Sequence, residues 1–310
     1  MRRFVTSIIV IIGVSIFIFI LLHAAYPSPA RDVLGLKASP AAIAAWNKAN
    51  GYDDPIIVQY LDYVNKLLHG NLGWSYAENQ SVFALFQERV ARSAYLSGIS
   101  LVIAVLIALP LGIFQAARRN SIGDNVATSA AFILYSMPSF FLGLILIQVF
   151  ALSFPIFNFE ASQSLSIWVV IGDWYAMTLP IFTLALITVA SFSRYMRSSS
   201  IDVLAQDYIK VARAKGLPER LVLMRHLVRN ASLPMVTLIG LSLPALLAGN
   251  LITESLFNFQ GLGLLFFESL QKVDYPVLLA YTLAGAVLVV IGNLVADIAL
   301  TVADPRIRLA

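Results

Sequence analysis

The 310-residue sequence contains no cysteine. That excludes a disulfide framework, a thiolate zinc site and a cysteine nucleophile. Histidine is nearly as scarce: His23, His69 and His226 lie far apart, so a multi-histidine metal site is not expected. Charge is also short. Only 12% of residues are charged and 59% are hydrophobic, against about 25% and about 45–50% in soluble domains. So little charge cannot cover a water-soluble body of this size, which excludes a cytosolic enzyme, a nucleic-acid binder and a disordered chain. Mean hydropathy is +0.81. The sequence lacks a Gly-x-x-x-x-Gly-Lys-Ser/Thr phosphate loop, and Gly261-Leu-Gly263 lacks the third glycine and preceding strand of a dinucleotide fingerprint. What remains is an all-α polytopic membrane protein.

A spanning helix needs about 20 mostly apolar residues, because about 30 Å of hydrocarbon is crossed at about 1.5 Å per residue. Six stretches qualify: Phe4–Ala25, Ala94–Ala117, Ala127–Leu152, Trp174–Phe192, Pro234–Phe257 and Pro276–Val302. Pro110, Pro138, Pro180 and Pro244 fall inside four of them and predict kinks. A signal peptide is the rival reading of the first stretch. Its apolar run exceeds the usual 7–15 residues, which favours an uncleaved span. Lys and Arg set the orientation. With the N-terminus inside, 14 of the 21 basic residues are inside, and six of the other seven lie in one long loop. Both termini are therefore expected on the cytoplasmic side.

Two polar segments carry information. In the outside segment Tyr26–Ser93, Ser39-Pro40 and Asp54-Pro55 read as helix starts, with Gly51 and Gly70 as stops. Ile57, Leu61, Val64 and Leu68 form one apolar stripe, and Ser81–Val90 is a third short helix candidate. This segment is large enough for a small helical lid. It either caps the bundle or docks an extracytoplasmic partner. The inside segment 193–233 is long and basic. Ala212, Arg213, Ala214 and Lys215 favour helix, Gly216 sits at a left-handed C-cap, and Pro218 suits the first turn of a second helix. A corner of this kind fits a groove on a soluble partner; the alternative is a basic segment lying on anionic lipid.

These residues also carry a resemblance. Ala212-Arg-Ala-Lys-Gly216-Leu-Pro218 and Arg225-His226 through Pro234 resemble the cytoplasmic coupling loop of ABC-importer permeases, in the form found in the dipeptide/oligopeptide/nickel permease family. Gly51-Tyr-Asp-Asp-Pro55 with Gly70-Asn-Leu-Gly73, Glu254 through Gly263, and Asp304-Pro-Arg-Ile-Arg308 are similar to other stretches of that family. The general Glu-Ala-Ala triplet is replaced by Lys210-Val211-Ala212, and Gln260 stands where the family often has proline.

The resemblance implies a six-span, MetI-like permease fold with an extracytoplasmic helical loop domain: a first span (1–25), a loop (26–93) and a five-span core (94–310). It implies a non-catalytic subunit of an ATP-driven di-/oligopeptide importer in the bacterial inner membrane. Its partners would be a second homologous permease, two ATP-binding subunits that hold ATP and Mg, an extracytoplasmic binding protein and membrane lipid. No cofactor and no metal is expected on this chain. Ala212, Arg213, Ala214, Lys215, Gly216, Leu217, Pro218 and Arg220 would form the coupling corner. Nickel, glutathione or haem are alternative cargoes, and a secondary transporter is the alternative class.

Few ionisable residues lie near the spans, and a carboxylate at mid-membrane costs roughly 2.5–3.5 kcal/mol, so each needs a reason. Glu254 reads as an outer gate, an interface pair or a carboxylate at the water boundary, and Asp297 as a partner of Arg306 or Arg308. Asn250, Asn293 and Ser139 either line a path or bridge helices. Gly143, Gly240 and Gly249 read as points of close helix approach.

Overall fold

The computed structural model describes residues 2–26, 28–35 and 37–303, without the side chains of 2–4, 32, 243–248, 297, 300, 302 and 303. The tail Asp304–Arg308, and the side chain of Asp297, lie outside the described residues.

Helix α1 (Arg2–Ala25) leads into three short helices, α2 (Ala30–Leu34), α3 (Pro40–Ala49) and α4 (Ile56–Leu68). Ser39 caps α3 by accepting from Ala42 N (3.2 Å), and Gly51 (φ 75°) and Gly70 (φ 76°) turn the chain after α3 and α4. A two-stranded antiparallel hairpin follows, β1 (Trp74–Ser75) on β2 (Gln80–Ser81), with Trp74 opposite Ser81. Ser81 then caps α5 (Val82–Ala117) by accepting from Ala84 N. The separate helix expected at Ser81–Val90 is therefore the first turns of the second long helix. One cap starts a single run of 36 residues that does not end at Val90.

The third apolar stretch is not one helix. Helix α6 (Ile122–Ser136) and α7 (Ser139–Ile147, continued by a π-helical turn to Ser153) meet at a bend of 106°. Met137 is extended (ψ 130°), as a residue before proline prefers, and Pro138 opens α7. By contrast Pro110 and Pro180 sit inside uninterrupted helices, α5 and α9 (Trp174–Leu204), which follows the short α8 (Ile167–Gly172). Those two helices form the most extensive pairing among the described residues. Burial along their whole contact offsets a proline cost of about 3 kcal/mol.

The remainder comprises α10 (Asp207–Ala214), α11 (Glu219–Leu221), a π-helical turn Val222–Leu227, α12 (Val228–Ala231), α13 (Leu233–Ala248), α14 (Leu251–Leu256), α15 (Leu262–Gln271) and α16 (Tyr275–Ala303). Among the described residues four helices are long and apolar enough to cross a membrane, and a fifth if α6–α7 is one bent span. The fifth stretch read from the sequence, Pro234–Phe257, is divided at Gly249 (φ 81°) between α13 and α14.

Helices α5 and α9 run parallel: Ser100 donates to the Ile181 carbonyl (3.1 Å), and further on Gly112 abuts Met196. A Cβ at Gly112 would lie 2.6 Å from Met196 Cβ and 2.8 Å from the Ser193 carbonyl, so only glycine permits this approach. Gly240 makes the equivalent contact between α13 and Ala296 of α16. The hairpin lies at the Val82 end of the bundle and residues 203–233 at the other, because α5 and α9 share one direction.

Candidate functional site

The corner after α9 is built from local sequence. Helix α10 ends at Ala214, Gly216 adopts φ 77°, Gly216 N donates to the Arg213 carbonyl (2.9 Å), and Leu217 N to the Ala212 carbonyl (3.3 Å). These two bonds are a Schellman cap, which needs a left-handed residue at the position glycine fills. Pro218 (φ −62°, ψ 141°) stands just before α11 as its N-cap rather than in its first turn.

The corner has its own small core. Ile209, Ala212 and Val222 are buried together, with Leu217 and the α9 residues Val203 and Leu204 packed on them. Ala212 thus supports the corner from within, while Arg213, Ala214, Lys215, Gly216, Pro218 and Arg220 are exposed. Across the turn Arg213 grips Glu219 through Nε–Oε2 (3.0 Å) and Nη2–Oε1 (2.6 Å). This guanidinium holds the Glu219 carboxyl below the ordinary carboxylate range. Tyr208, Val211, Leu221 and Met224 leave apolar surface exposed beside it. A Cβ on Gly216 would meet nothing within 4 Å. The corner is therefore closed on itself by its cap and its ion pair, with the turn exposed.

The C-terminal half of α9 is pinned beside it. Arg197 makes a bidentate pair with Asp124 (2.7 and 2.8 Å), and Arg194 lies over the rings of Phe132 and Tyr135 (4.3 and 4.8 Å). Asp124 also accepts from Asn120 N (2.9 Å) at the start of α6. Two basic residues of the segment read only as inside charge are thus structural ties.

At the opposite end Glu254 is fully buried. In the described chain it faces neither a path nor water. Its carboxylate accepts from Ser93 Oγ (2.8 Å), Asn250 N (3.1 Å), Gly263 N (2.7 Å) and Leu264 N (3.2 Å). Gly263 and Leu264 belong to the first turn of α15, so Glu254 caps that helix by accepting from its free amides. Ser93 Oγ also accepts from Leu262 N (2.8 Å), which joins α5 to the same turn. Gly249, Gly261 and Gly263 leave room for this close packing. Of the other polar candidates, Asn250 donates to Ser97 (3.0 Å) and bridges helices, Ser139 is half-buried at the start of α7, and Asn293 is exposed on α16. Among the described residues no hydrogen bond joins Glu254, Ser139 and Asn293, which are respectively buried, half-buried and exposed.

Asp274, absent from the sequence reading, anchors the hairpin. It accepts from Ser75 Oγ and from Ala77 N (3.3 Å), while Lys272 pairs with Glu78 (2.8 Å). Burial raises the Asp274 carboxyl above its ordinary value, although the Ser75 bond opposes this. Beneath the hairpin a cavity of about 650 Å³ opens between α1, α4 and the start of α16, lined among others by Phe19, His23, Tyr52, Asp62, Lys66 and Tyr275. Burial raises the Tyr52 phenol.

Comparison with known proteins decides the family. The "Binding-protein-dependent transport system inner membrane component" model matches residues 108–309, and a companion model, "Binding-prot-dependent transport system membrane comp, N-term", matches residues 1–97. The chain belongs to this permease family. The permease is 38% identical over 309 residues to the "Oligopeptide transport system permease protein AppB" of Bacillus subtilis (strain 168), covering 99% of this chain and 98% of the relative. It is 33% identical to the "Dipeptide transport system permease protein DppB" of Escherichia coli (strain K12), again covering 99% and 98%. It is 32% identical to the "Glutathione transport system permease protein GsiC" of Salmonella typhimurium over 99% and 98%. The permease is a multi-pass inner-membrane protein and the non-catalytic membrane component of a transport system that works with a binding protein and an ATPase.

Proposed function

We propose that this permease forms half of the translocation path of a di-/oligopeptide importer, with a second homologous permease as the other half. Six spans cross the membrane, the bent α6–α7 and the divided α13–α14 each counting as one, with both termini cytoplasmic. Residues 26–93 are an extracytoplasmic domain, and 94–310 the core. The corner at 212–218, with Arg220, docks on one of two ATPase subunits. The hairpin end, with the segment Phe257–Asp274, faces the binding protein. ATP-driven closure of the ATPases pushes the corner, and α9, continuous from Trp174 to Leu204, carries that push through the membrane. ATP and Mg belong to the ATPases.

The observation that carries this reading is the exposed, Schellman-capped corner, packed through Val203 and Leu204 on the end of a 31-residue helix. A rigid element joined directly to a long helix transmits displacement; a loose lipid-facing loop would not. A peptide cargo is supported by the relatives named for oligopeptides and dipeptides. The relatives named for glutathione keep that peptide-like thiol as the second cargo to test.

The test is uptake of labelled dipeptide by membranes carrying the full transporter with Gly216→Asn or Gly216→Trp. Asparagine tolerates the left-handed conformation, so the Asn variant should keep most uptake. The Trp variant should lose it at unchanged membrane abundance, because the bulk enters the partner's groove. Normal uptake by Gly216→Trp would sink the docking assignment. Uptake of glutathione in preference to dipeptide would replace the cargo and leave the corner's role intact.

A further inference from the structure

Helix α4 keeps most of its apolar stripe outside the core of the chain. Gln59, Tyr60, Tyr63 and Leu67 are half-buried on the inner side of the helix, while Asp62 and Lys66, ion-paired at 2.6 Å and each 56% exposed, stand at the rim of the cavity. Of the apolar stripe, Ile57, Leu61 and Leu68 face outward, 70%, 59% and 80% exposed, and Val64 is half-buried. An amphipathic helix on a soluble domain does the reverse, turning its apolar stripe to the core.

The attachment of α4 fixes its depth. Tyr60 shares a hydrogen bond with Ser15 (2.8 Å), Gln59 with His23 (2.6 Å), and the Phe19 ring meets Tyr60 and Tyr63 at centroid distances of 5.4 and 5.7 Å. The level at which α1 meets the start of α16 is marked by Tyr275, whose hydroxyl donates to the Leu22 carbonyl (2.7 Å). Ser15 lies seven residues further into α1, about 10 Å deeper at the helical rise. The exposed face of α1 at this depth is apolar, with Ile16, Phe17 and Ile20. Aromatic rings line α1 between these two levels, Tyr60 and Tyr63 against Phe19, Tyr52 and Tyr275 against His23, and Tyr26 against Tyr275, and such rings mark a membrane–water boundary.

We propose that α4 lies in the outer leaflet of the bilayer, with Ile57, Leu61 and Leu68 against acyl chains and Asp62 and Lys66 over the cavity. The extracytoplasmic domain is then anchored by lipid along one helix instead of being held only by its loops. In such a medium the exposed apolar flank is the stable one, and the charged pair on the other flank keeps its hydration at the cavity rim. This rests on the reading of α1 as a membrane span.

The absence of cysteine permits a direct test. Single nitroxide labels are placed at Leu61→Cys, Leu68→Cys, the exposed turn position Asp53→Cys and the α1 position Phe17→Cys. Each labelled chain is assembled with its partner subunits in phosphatidylethanolamine/phosphatidylglycerol vesicles. Collision with oxygen, which concentrates in lipid, is compared with collision with a water-soluble nickel chelate. The labels at positions 61 and 68 should show an oxygen-to-nickel ratio several-fold above that at position 53 and close to that at 17. A nickel-accessible label at both positions, with position 17 still in lipid, overturns the proposal alone. Shielding of both positions from oxygen and nickel alike overturns it in favour of a protein partner. A nickel-accessible position 17 overturns the reading of α1 as a span.

Discussion

Arg213 and Glu219 close the corner as a two-pronged ion pair, six residues apart in sequence and on opposite sides of the turn at Gly216. Both side chains are about half exposed, 45% and 53%, so the pair contributes about 0.2–1 kcal/mol, reduced further by salt. Its consequence is orientation. Reversing either charge, Arg213→Glu or Glu219→Arg, should lower transport without lowering membrane abundance, and combining both should restore much of it. A double variant as poor as the worse single variant would show that the residues act separately on a partner. The pH sign follows from the lowered Glu219 carboxyl. The pair's contribution is present above the ordinary glutamate value, about 4.3, and fades as pH falls through the lower folded one. Uptake changes between pH 7 and 5 should therefore be the same in the swapped double variant.

Glu254 should behave as a structural cap. Replacing it by alanine leaves the Gly263 and Leu264 amides and the Ser93 hydroxyl without their acceptor. Each buried group left unpaired costs about 1–3 kcal/mol. Glu254→Ala should lower the apparent melting temperature of the detergent-solubilised transporter well below that of an Asn293→Ala control. Ser93→Ala should cost less, about 1–3 kcal/mol for one lost acceptor at Leu262 N. An unchanged melting temperature with altered cargo selection would return Glu254 to the path.

Gly112 sets the distance between α5 and α9. Even alanine there would bring its Cβ to 2.6 Å from Met196 and 2.9 Å from Arg197 N. Overpacking of this kind costs typically about 1–3 kcal/mol. Gly112→Ala should reduce thermal stability by that amount, and Gly112→Leu should abolish assembly, as read by size-exclusion of the fluorescently tagged complex. Gly98, on the same helix with open space around it, is the control and should accept alanine without loss.

Asp274 gives a stability dependence of opposite sign to Glu219. Its folded-state carboxyl is raised by burial, so the folded chain binds its proton more tightly than the unfolded one does. Stability contributed by this group is therefore greatest below the ordinary aspartate value, about 3.9, and falls as pH rises through the higher folded value. Asp274→Asn should flatten that part of the melting-temperature profile, because the amide carries no charge to bury. A parallel shift of the whole profile would assign the dependence to other groups.

How much of this was legible depends on the range of the interactions. The Schellman corner was readable because its cause is local: glycine alone fills φ 77° cheaply, and Gly216 stands where helix-forming residues stop. The caps at Ser39 and the turns at Gly51 and Gly70 were readable for the same reason. The start of α5 was misread because a short apolar run after Ser81 looks the same whether the helix stops or continues. Pro138 was expected to kink and instead breaks its helix, while Pro110 and Pro180 do not interrupt theirs. The sequence around each proline cannot report the helix packed beside it.

Composition determined that this is a membrane protein, because so little charge cannot cover a water-soluble surface, and apolar runs of about 20 residues made its spans helical. Motif order along it carried the resemblance to permeases, and periodicity found the apolar stripe of α4. Only the tertiary structure decided which way that stripe faces, since both orientations satisfy the same period. It also decided the role of Glu254, whose acceptor oxygens are met by backbone amides across a tight glycine turn and by a serine 161 residues away. Such partners are invisible to any local rule, because backbone donors carry no residue identity and the distance is closed only when α5 and α15 pack together.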